Sequence, residues 1–498
     1  MRVLRVLRTL VALSLVLAAC SADDGEPRVQ GREVDNGDRS GEPTTTSTTR
    51  GPPPAAIWSD PRDVGSPYPG ETVGLLTFRG NPSRTYYGEG PVPAAPKRLW
   101  SYPLSGSPMC GPSTVGGETR QWCGTGWTGQ PAVFERDGRT MVAFGAYDHG
   151  IHLVDAADGR DVVPPFKTGD IIKGSVTIDP DGFPLLYSGS RDNFYRVLSF
   201  EGGQFTELWS LAHNAVSPTK WNSDFDGAGL VLGDYLLEGG ENSQFHVVKL
   251  NRSRDADGVR VSPQLVFNTP AWDAQLLADL PDENLSIESS VAVHGSSVYW
   301  VNSGGLVQGW DLGPLDKGGP PIQTFRFWTG DDADASVVVD GDGMLYVAVE
   351  WDRETARAAE VGQLIKLDPS KPDNPVVWAV KDQGASPAGF WATPAIAGDL
   401  VIAPNNGGQV RGIDRATGQE RWSIQLPGPT WSSPVVVDDV LIEGDCEGFL
   451  HGFDLSDPTV QPPELWSVEL GGCIESTPAV WKGRIYVGTR GGFVHAIG

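Results

Sequence analysis

From about residue 120 onward the chain alternates short apolar runs with Gly-, Asp- and Asn-rich turns, which is the pattern of strands rather than helices. Laid beneath one another, the runs form a recurring unit of four. The first begins on a hydroxyl or small residue and continues apolar: Gln130-Pro-Ala-Val, Ser175-Val-Thr-Ile, Ser290-Val-Ala-Val, Ser336-Val-Val-Val, Thr393-Pro-Ala-Ile, Ser433-Pro-Val-Val and Thr477-Pro-Ala-Val, with a weaker copy at Ser223. A second run follows a turn, as in Leu345-Tyr-Val-Ala-Val. The third starts after a Gly and ends in Asp, as in Gly408-Gln-Val-Arg-Gly-Ile-Asp414 and Gly448-Phe-Leu-His-Gly-Phe-Asp454. The fourth carries a Trp: Trp209, Trp378, Trp422 or Trp466.

Four short strands returning roughly every 40 to 65 residues predict an all-β propeller of four-stranded antiparallel blades. Eight units are present. The last stops after its third strand, at Gly498, and the run Arg98-Leu-Trp100-Ser-Tyr matches the missing fourth strand although it precedes the first unit. The expectation is therefore an eight-bladed ring closed by an N-terminal strand that completes the last blade, which would also remove an open sheet edge.

Composition sharpens this picture. The 498 residues include 63 Gly and 40 Pro, too many for a helical protein, while 17 Trp, 17 Phe and 11 Tyr supply the volume of a large core. A net charge of −25 repels a phosphate backbone, so a nucleic-acid partner is not expected.

The N-terminus reads as an address. Arg2, Arg5 and Arg8 precede a short apolar run ending in Leu17-Ala18-Ala19-Cys20, which looks like a lipobox: residues 1–19 would be a signal peptide and Cys20 the lipidated first residue. No later run is apolar enough to span a bilayer, so membrane attachment would be through the lipid alone, on the extracytoplasmic face. Residues 20–73, rich in Ser, Thr, Pro and Gly, read as a disordered tether, leaving 74–498 as the propeller.

The repeats resemble the quinoprotein-type propeller repeat, seen in pyrroloquinoline quinone dehydrogenases and in the propeller lipoprotein of the outer-membrane barrel-assembly machinery. The lead-in Phe78-Arg79-Gly80-Asn81-Pro82 with Arg84-Thr85 is similar to the start of such proteins. The resemblance implies that Trp100, Trp209, Trp378, Trp422 and Trp466 dock between blades, with Trp328 doing the same for its own unit. It does not by itself imply a bound quinone. Dehydrogenases of this type use adjacent cysteines, a stacking Trp, a calcium held by Glu, Asn and Asp, and an Asp base. The sequence has no adjacent cysteine pair.

Four cysteines besides Cys20 are expected to form two disulfides in an exported chain. Of the three possible pairings, Cys110 with Cys123 and Cys446 with Cys473 join neighbours in the propeller. His152, His246, His451 and His495 share one place in the third strand, which marks packing rather than a metal site, since ligands must converge on one point. Asp179-Pro-Asp-Gly182 and Asp340-Gly-Asp-Gly343 echo part of a calcium loop but read as hairpin turns. No metal site and no catalytic residue is assigned.

One pattern exceeds structural need. Two residues before each first-strand hydroxyl the chain places Lys173, Trp221, Glu288, Asp334, Trp391, Trp431 and Glu475, with Trp127 nearby in the first unit. These eight would meet at the mouth of the central channel, an aromatic and charged composition suited to binding. The reading is a monomeric, lipid-anchored envelope propeller that binds a protein or glycan ligand without chemistry or cofactor of its own. Two alternatives are a dehydrogenase dependent on pyrroloquinoline quinone and calcium, and an envelope polysaccharide-binding module.

Overall fold

The computed structural model describes residues 58–498 apart from 116, 128 and 386. The signal peptide, Cys20 and most of the expected tether lie outside the described residues. Eight blades of four antiparallel strands follow one another along the chain, from Ala132–Arg136 in blade 1 to Ala479–Trp481 in blade 8, and blades 1 and 8 each gain a fifth inner strand, Gly74–Leu75 and the parallel Gly88–Glu89. The inner strand of blade 8 lies against the inner strand of blade 1, so the sheets form a ring. In blade 8 the outer strand is Arg98–Tyr102, paired antiparallel with Phe493–Ile497. Apolar side chains of neighbouring blades interdigitate in continuous layers, among them Phe134, Leu153, Leu186 and Leu237 across blades 1 to 3.

The recurrent first-strand hydroxyl has a structural purpose. The backbone N–H of Ser290 donates to Ser336 Oγ (2.9 Å), that of Ser336 to Thr393 Oγ1 (2.9 Å) and that of Thr393 to Ser433 Oγ (3.1 Å), each hydroxyl serving the blade before it. Gln130 N donates likewise to Ser175, and Ala228 N to Ser290. A belt of hydroxyls thus satisfies buried N–H groups where the inner strands start.

This belt corrects the register of the third unit. Its member there is Ala228, two residues before the strand Leu230–Leu232, and not Ser223. A second correction concerns Trp328. Trp100, Trp378 and Trp422 do dock across the gap, donating their indole N–H to Ala156, Arg415 and Pro458 carbonyls of the next blade. In blade 4 the equivalent place, opposite Gly309, is held by Phe325, while Trp328 sits at the far end of the strand and bonds Gly304 O.

The start of the folded part also differs from expectation. Within the segment read as tether, Trp58 and Tyr68 are buried against blades 1 to 4, and Tyr68 Oη donates to Val231 O at 2.9 Å. The lead-in then crosses beneath the inner strands. Arg79 and Arg84 are fully buried, and their guanidinium groups bond carbonyls of four blades: Pro434 and Pro394 from Arg79, Val291 and Ala228 from Arg84. Pro82 and Ser83 carbonyls accept from Val293 and Val339 farther along the same strands. The lead-in therefore floors the channel on one side of the belt.

The four repeat histidines are buried in their third strands as packing predicts. His152 bonds Asp148 and Tyr102, His451 bonds Glu464, and His495 bonds Ser101. Both DPDG-like segments are hairpin turns: Asp179 and Asp340 each cap their own turn and accept from Tyr187 and Tyr346 hydroxyls. Both preferred disulfides are present. No described helix is long and apolar enough to cross a membrane.

Candidate functional site

On the side of the belt away from the arginine floor, the residues two positions before each belt member converge. Trp391 is the centrepiece. Its ring stacks on Trp127 (centroids 5.6 Å, 23° between planes) and meets Trp431 edge-on at 5.2 Å. Its indole N–H donates to Asp334 Oδ2 (3.0 Å), and its backbone N–H to Asn406 Oδ1. Blades 1, 5, 6 and 7 are thereby joined across the mouth. Such edge and stacked pairs add about 0.5–1.5 kcal/mol each beyond burial.

Beside this wall lies an acidic arc. Ser286 donates to Glu288, Asn406 to Glu350, and Arg353 pairs with Asp332 at 3.4 Å. Burial, then repulsion among these carboxylates, pushes Glu288, Asp334 and Glu350 well above the usual carboxylate range. Asp332 is also pushed well up by burial, with Arg353 opposing it. One cation among these four acids leaves the arc short of positive charge.

Lys173 belongs to a third group. The corrected register of blade 3 puts Asp226 at the mouth position, where Trp221 was expected. The Lys173 ammonium contacts Asp226, lies 3.0 Å from Glu241 and is 3.8 Å from Asp224. Gly174 fixes this approach, because a Cβ there would stand 1.9 Å from the Asp226 carbonyl oxygen. Arg191 covers the other side of Asp224 at 2.9 Å. Burial opposes charge on Lys173, but the surrounding carboxylates outweigh it and hold the ammonium protonated. Asp224 is raised to about 9 by burial and by Glu241, and Asp226 is driven well up by burial. Burial pushes Glu241 the same way, but Lys173 and the bond from Asp226 bring it below the ordinary value.

Of the eight expected residues, Trp127, Lys173, Glu288, Asp334, Trp391 and Trp431 meet or approach one another. Glu475 stands at the edge, 3.2 Å from Arg490, whose guanidinium lies over Trp122 and Tyr147. Trp122 belongs to the hairpin Cys110–Val115 and Glu118–Cys123, closed by its own disulfide. Trp221 stands apart on the connector before blade 3, 58% exposed with φ +65°. A left-handed Trp costs about 1–3 kcal/mol, and this one is held by Lys220 N to Asn242 O and Asn222 N to Glu241 O.

Sequence reasoning missed Asp224, Asp226, Glu241, Asp332 and Glu350. Asp226 was findable, being two residues before Ala228. A cavity of about 710 Å³ lies on the other face beneath the lead-in, between Tyr87, Ile396, Val437 and Asp438, and shares no residue with the mouth.

Comparisons agree with this architecture. Residues 326–445 match the family model described as "Outer membrane protein assembly factor BamB". No curated protein matches the sequence. The structure is similar to the quinohemoprotein alcohol dehydrogenase of Comamonas testosteroni, with 13% identity, TM-score 0.56, and coverage of 85% of this chain and 80% of that one. A quinohemoprotein alcohol dehydrogenase of Pseudomonas putida HK5 gives 13% identity and TM-score 0.55 over 85% of this chain and 80% of its own. BamB of Moraxella catarrhalis aligns at 12% identity and TM-score 0.37, over 81% of this chain and 97% of that chain. The quinoprotein-type repeat and the eight-bladed propeller are thus shared with known proteins, and at such identities the likeness is one of fold.

The one cluster of described carboxylates close enough to hold a metal ion is Asp224, Asp226 and Glu241, and the Lys173 ammonium stands among them. Neither cysteine pair is adjacent in sequence, and the disulfides close a hairpin and a blade junction instead.

Proposed function

We propose that this chain is a non-enzymatic cell-envelope propeller, exported and anchored through lipid on Cys20, that binds a protein ligand at the tryptophan mouth. The observation that carries the reading is Trp391, clamped between Trp127, Trp431 and Asp334 beside an acidic arc and above a closed floor. With Arg79 and Arg84 bonding inner-strand carbonyls below it, the mouth is read as a surface rather than a passage. Aromatic residues with a charged rim are the composition of binding hot spots. Trp221, exposed at a backbone cost, stands next to Asn222, whose N–H bonds the carbonyl of the cluster residue Glu241.

Two disulfides support an oxidising compartment, and the matched family description is that of an envelope assembly factor. The scaffold reading rests on the site rather than on that description.

Calorimetric titration of the full chain with pyrroloquinoline quinone and calcium, followed by a dye-reduction assay, tests the reading against the dehydrogenase alternative. The proposal expects no heat and no reduction. Quinone uptake that vanishes in Trp391→Ala would replace the scaffold with an enzyme. For the polysaccharide alternative, glycan-dependent quenching of Trp fluorescence that is lost in Trp391→Ala and Trp431→Ala would be decisive.

A further inference from the structure

We infer that Lys173 is a built-in cation: its ammonium occupies the place where three mouth carboxylates would otherwise hold a divalent metal, and removing it opens a calcium site. Asp224, Asp226 and Glu241 each offer an oxygen within 4.8 Å of the others. Two oxygens on one calcium, each at about 2.4 Å, are at most about 4.8 Å apart, a limit that all three pairs meet. Their side chains are 2%, 0% and 2% exposed, and of their six carboxylate oxygens Arg191 and Asn222 engage one each. Hard oxygen donors of this kind suit calcium rather than a soft metal.

The native cluster has no vacancy for that ion. Lys173 reaches all three carboxylates at once, and Arg191 neutralises Asp224 from behind. Three carboxylates with two fixed cations leave at most a single negative charge. The ammonium is fixed by the main chain, since Gly174 presses the strand start of blade 2 onto the Asp226 carbonyl. Replacing Lys173 with a neutral side chain leaves carboxylates from two parts of blade 3 buried beside one guanidinium. That excess charge in a low-dielectric site is the arrangement that draws a divalent ion. The inference concerns this cluster alone and stands whether or not the mouth binds a protein.

The test compares the full chain with Lys173→Met, using terbium(III) luminescence with calcium as competitor. Wild type is expected to show no saturable emission, whereas Lys173→Met binds terbium at least about tenfold more tightly and releases it to calcium. Adding Asp226→Asn to Lys173→Met should abolish the gain. Thermal melts give an independent readout: Lys173→Met should lose stability in chelator and recover it in millimolar calcium. Lys173→Gln, which keeps a donor in the cluster, repeats the comparison if Lys173→Met folds poorly. Saturable terbium binding by wild type would overturn the inference. So would variants that gain no binding, or that are destabilised equally with and without calcium.

Discussion

Arg84 offers the sharpest test of how the ring is held. Its guanidinium donates to Val291 O, Phe78 O and Ala228 O at 2.8 Å each, and its charge is opposed by Glu238 in the same buried region. Burial lowers its pKa to about 10, which still leaves it charged at neutral pH. Arg84→Met removes four charge-assisted bonds, leaving three carbonyls and the Thr77 hydroxyl without their cationic donor. Each buried acceptor left unpaired costs about 1–3 kcal/mol, so a loss of about 3–5 kcal/mol is expected. With about 2.1 cal/mol/K per residue, about 440 folded residues change stability by about 0.9 kcal/mol per degree, so the melting temperature should fall by about 3–5 °C. The assay is differential scanning calorimetry of wild type, Arg84→Met, Glu238→Gln and the double variant. Glu238 keeps no excess charge once it is amidated, so the double variant should be more stable than the sum of the single losses by about 1 kcal/mol or more. An Arg84→Met protein melting within 1 °C of wild type, or a strictly additive cycle, would refute the view that the lead-in arginines staple the ring.

Other outcomes follow from the same structure. Ser336→Ala orphans the Ser290 N–H and should cost about 1–2 kcal/mol by thermal melt; an unchanged melt would remove the belt from the account. His246 has neither ring nitrogen bonded, and burial lowers its pKa to about 4. Its folded state disfavours the proton, so its contribution is full above about pH 6.5 and is lost as pH falls toward 4. His246→Phe should therefore be more stable than wild type at pH 5 by about 2 kcal/mol, and a pH profile parallel to wild type would contradict this. Deleting residues 97–104 removes the outer strand of blade 8 and should give aggregation or a much lowered melt; a monomer with unchanged melting would count against closure by that strand.

Much of the ring was legible because propeller repeats write their packing into the sequence. The hydroxyl that opens five of the first strands is the acceptor of a neighbour's N–H, so its recurrence followed the blades. The third unit was misplaced for the same reason: Ala228 holds the belt position but has no hydroxyl, and Ser223 drew the alignment five residues upstream. That slip put Trp221 at the mouth and hid Asp226. Trp328 misled because a Trp at any place in a fourth strand looks like the docking Trp, whereas Phe325 meets Gly309. The arginine floor was beyond reach of pattern, since Arg79 and Arg84 bind main-chain carbonyls up to 355 residues away and such partners carry no side-chain signal. Trp58 and Tyr68 were hidden by their Pro- and Gly-rich surroundings.

The central claim is that the tryptophan mouth, rather than the opposite face, receives a partner. A photo-crosslinking amino acid placed at Trp221, in the full chain in its native envelope, tests it directly. A second protein with the probe at exposed Val460 serves as the control. The account predicts one discrete protein adduct from position 221 that is absent at 460 and lost when Trp391 is changed to Ala. Adducts from 460 alone, or from 221 unaffected by Trp391→Ala, would place recognition elsewhere on the propeller.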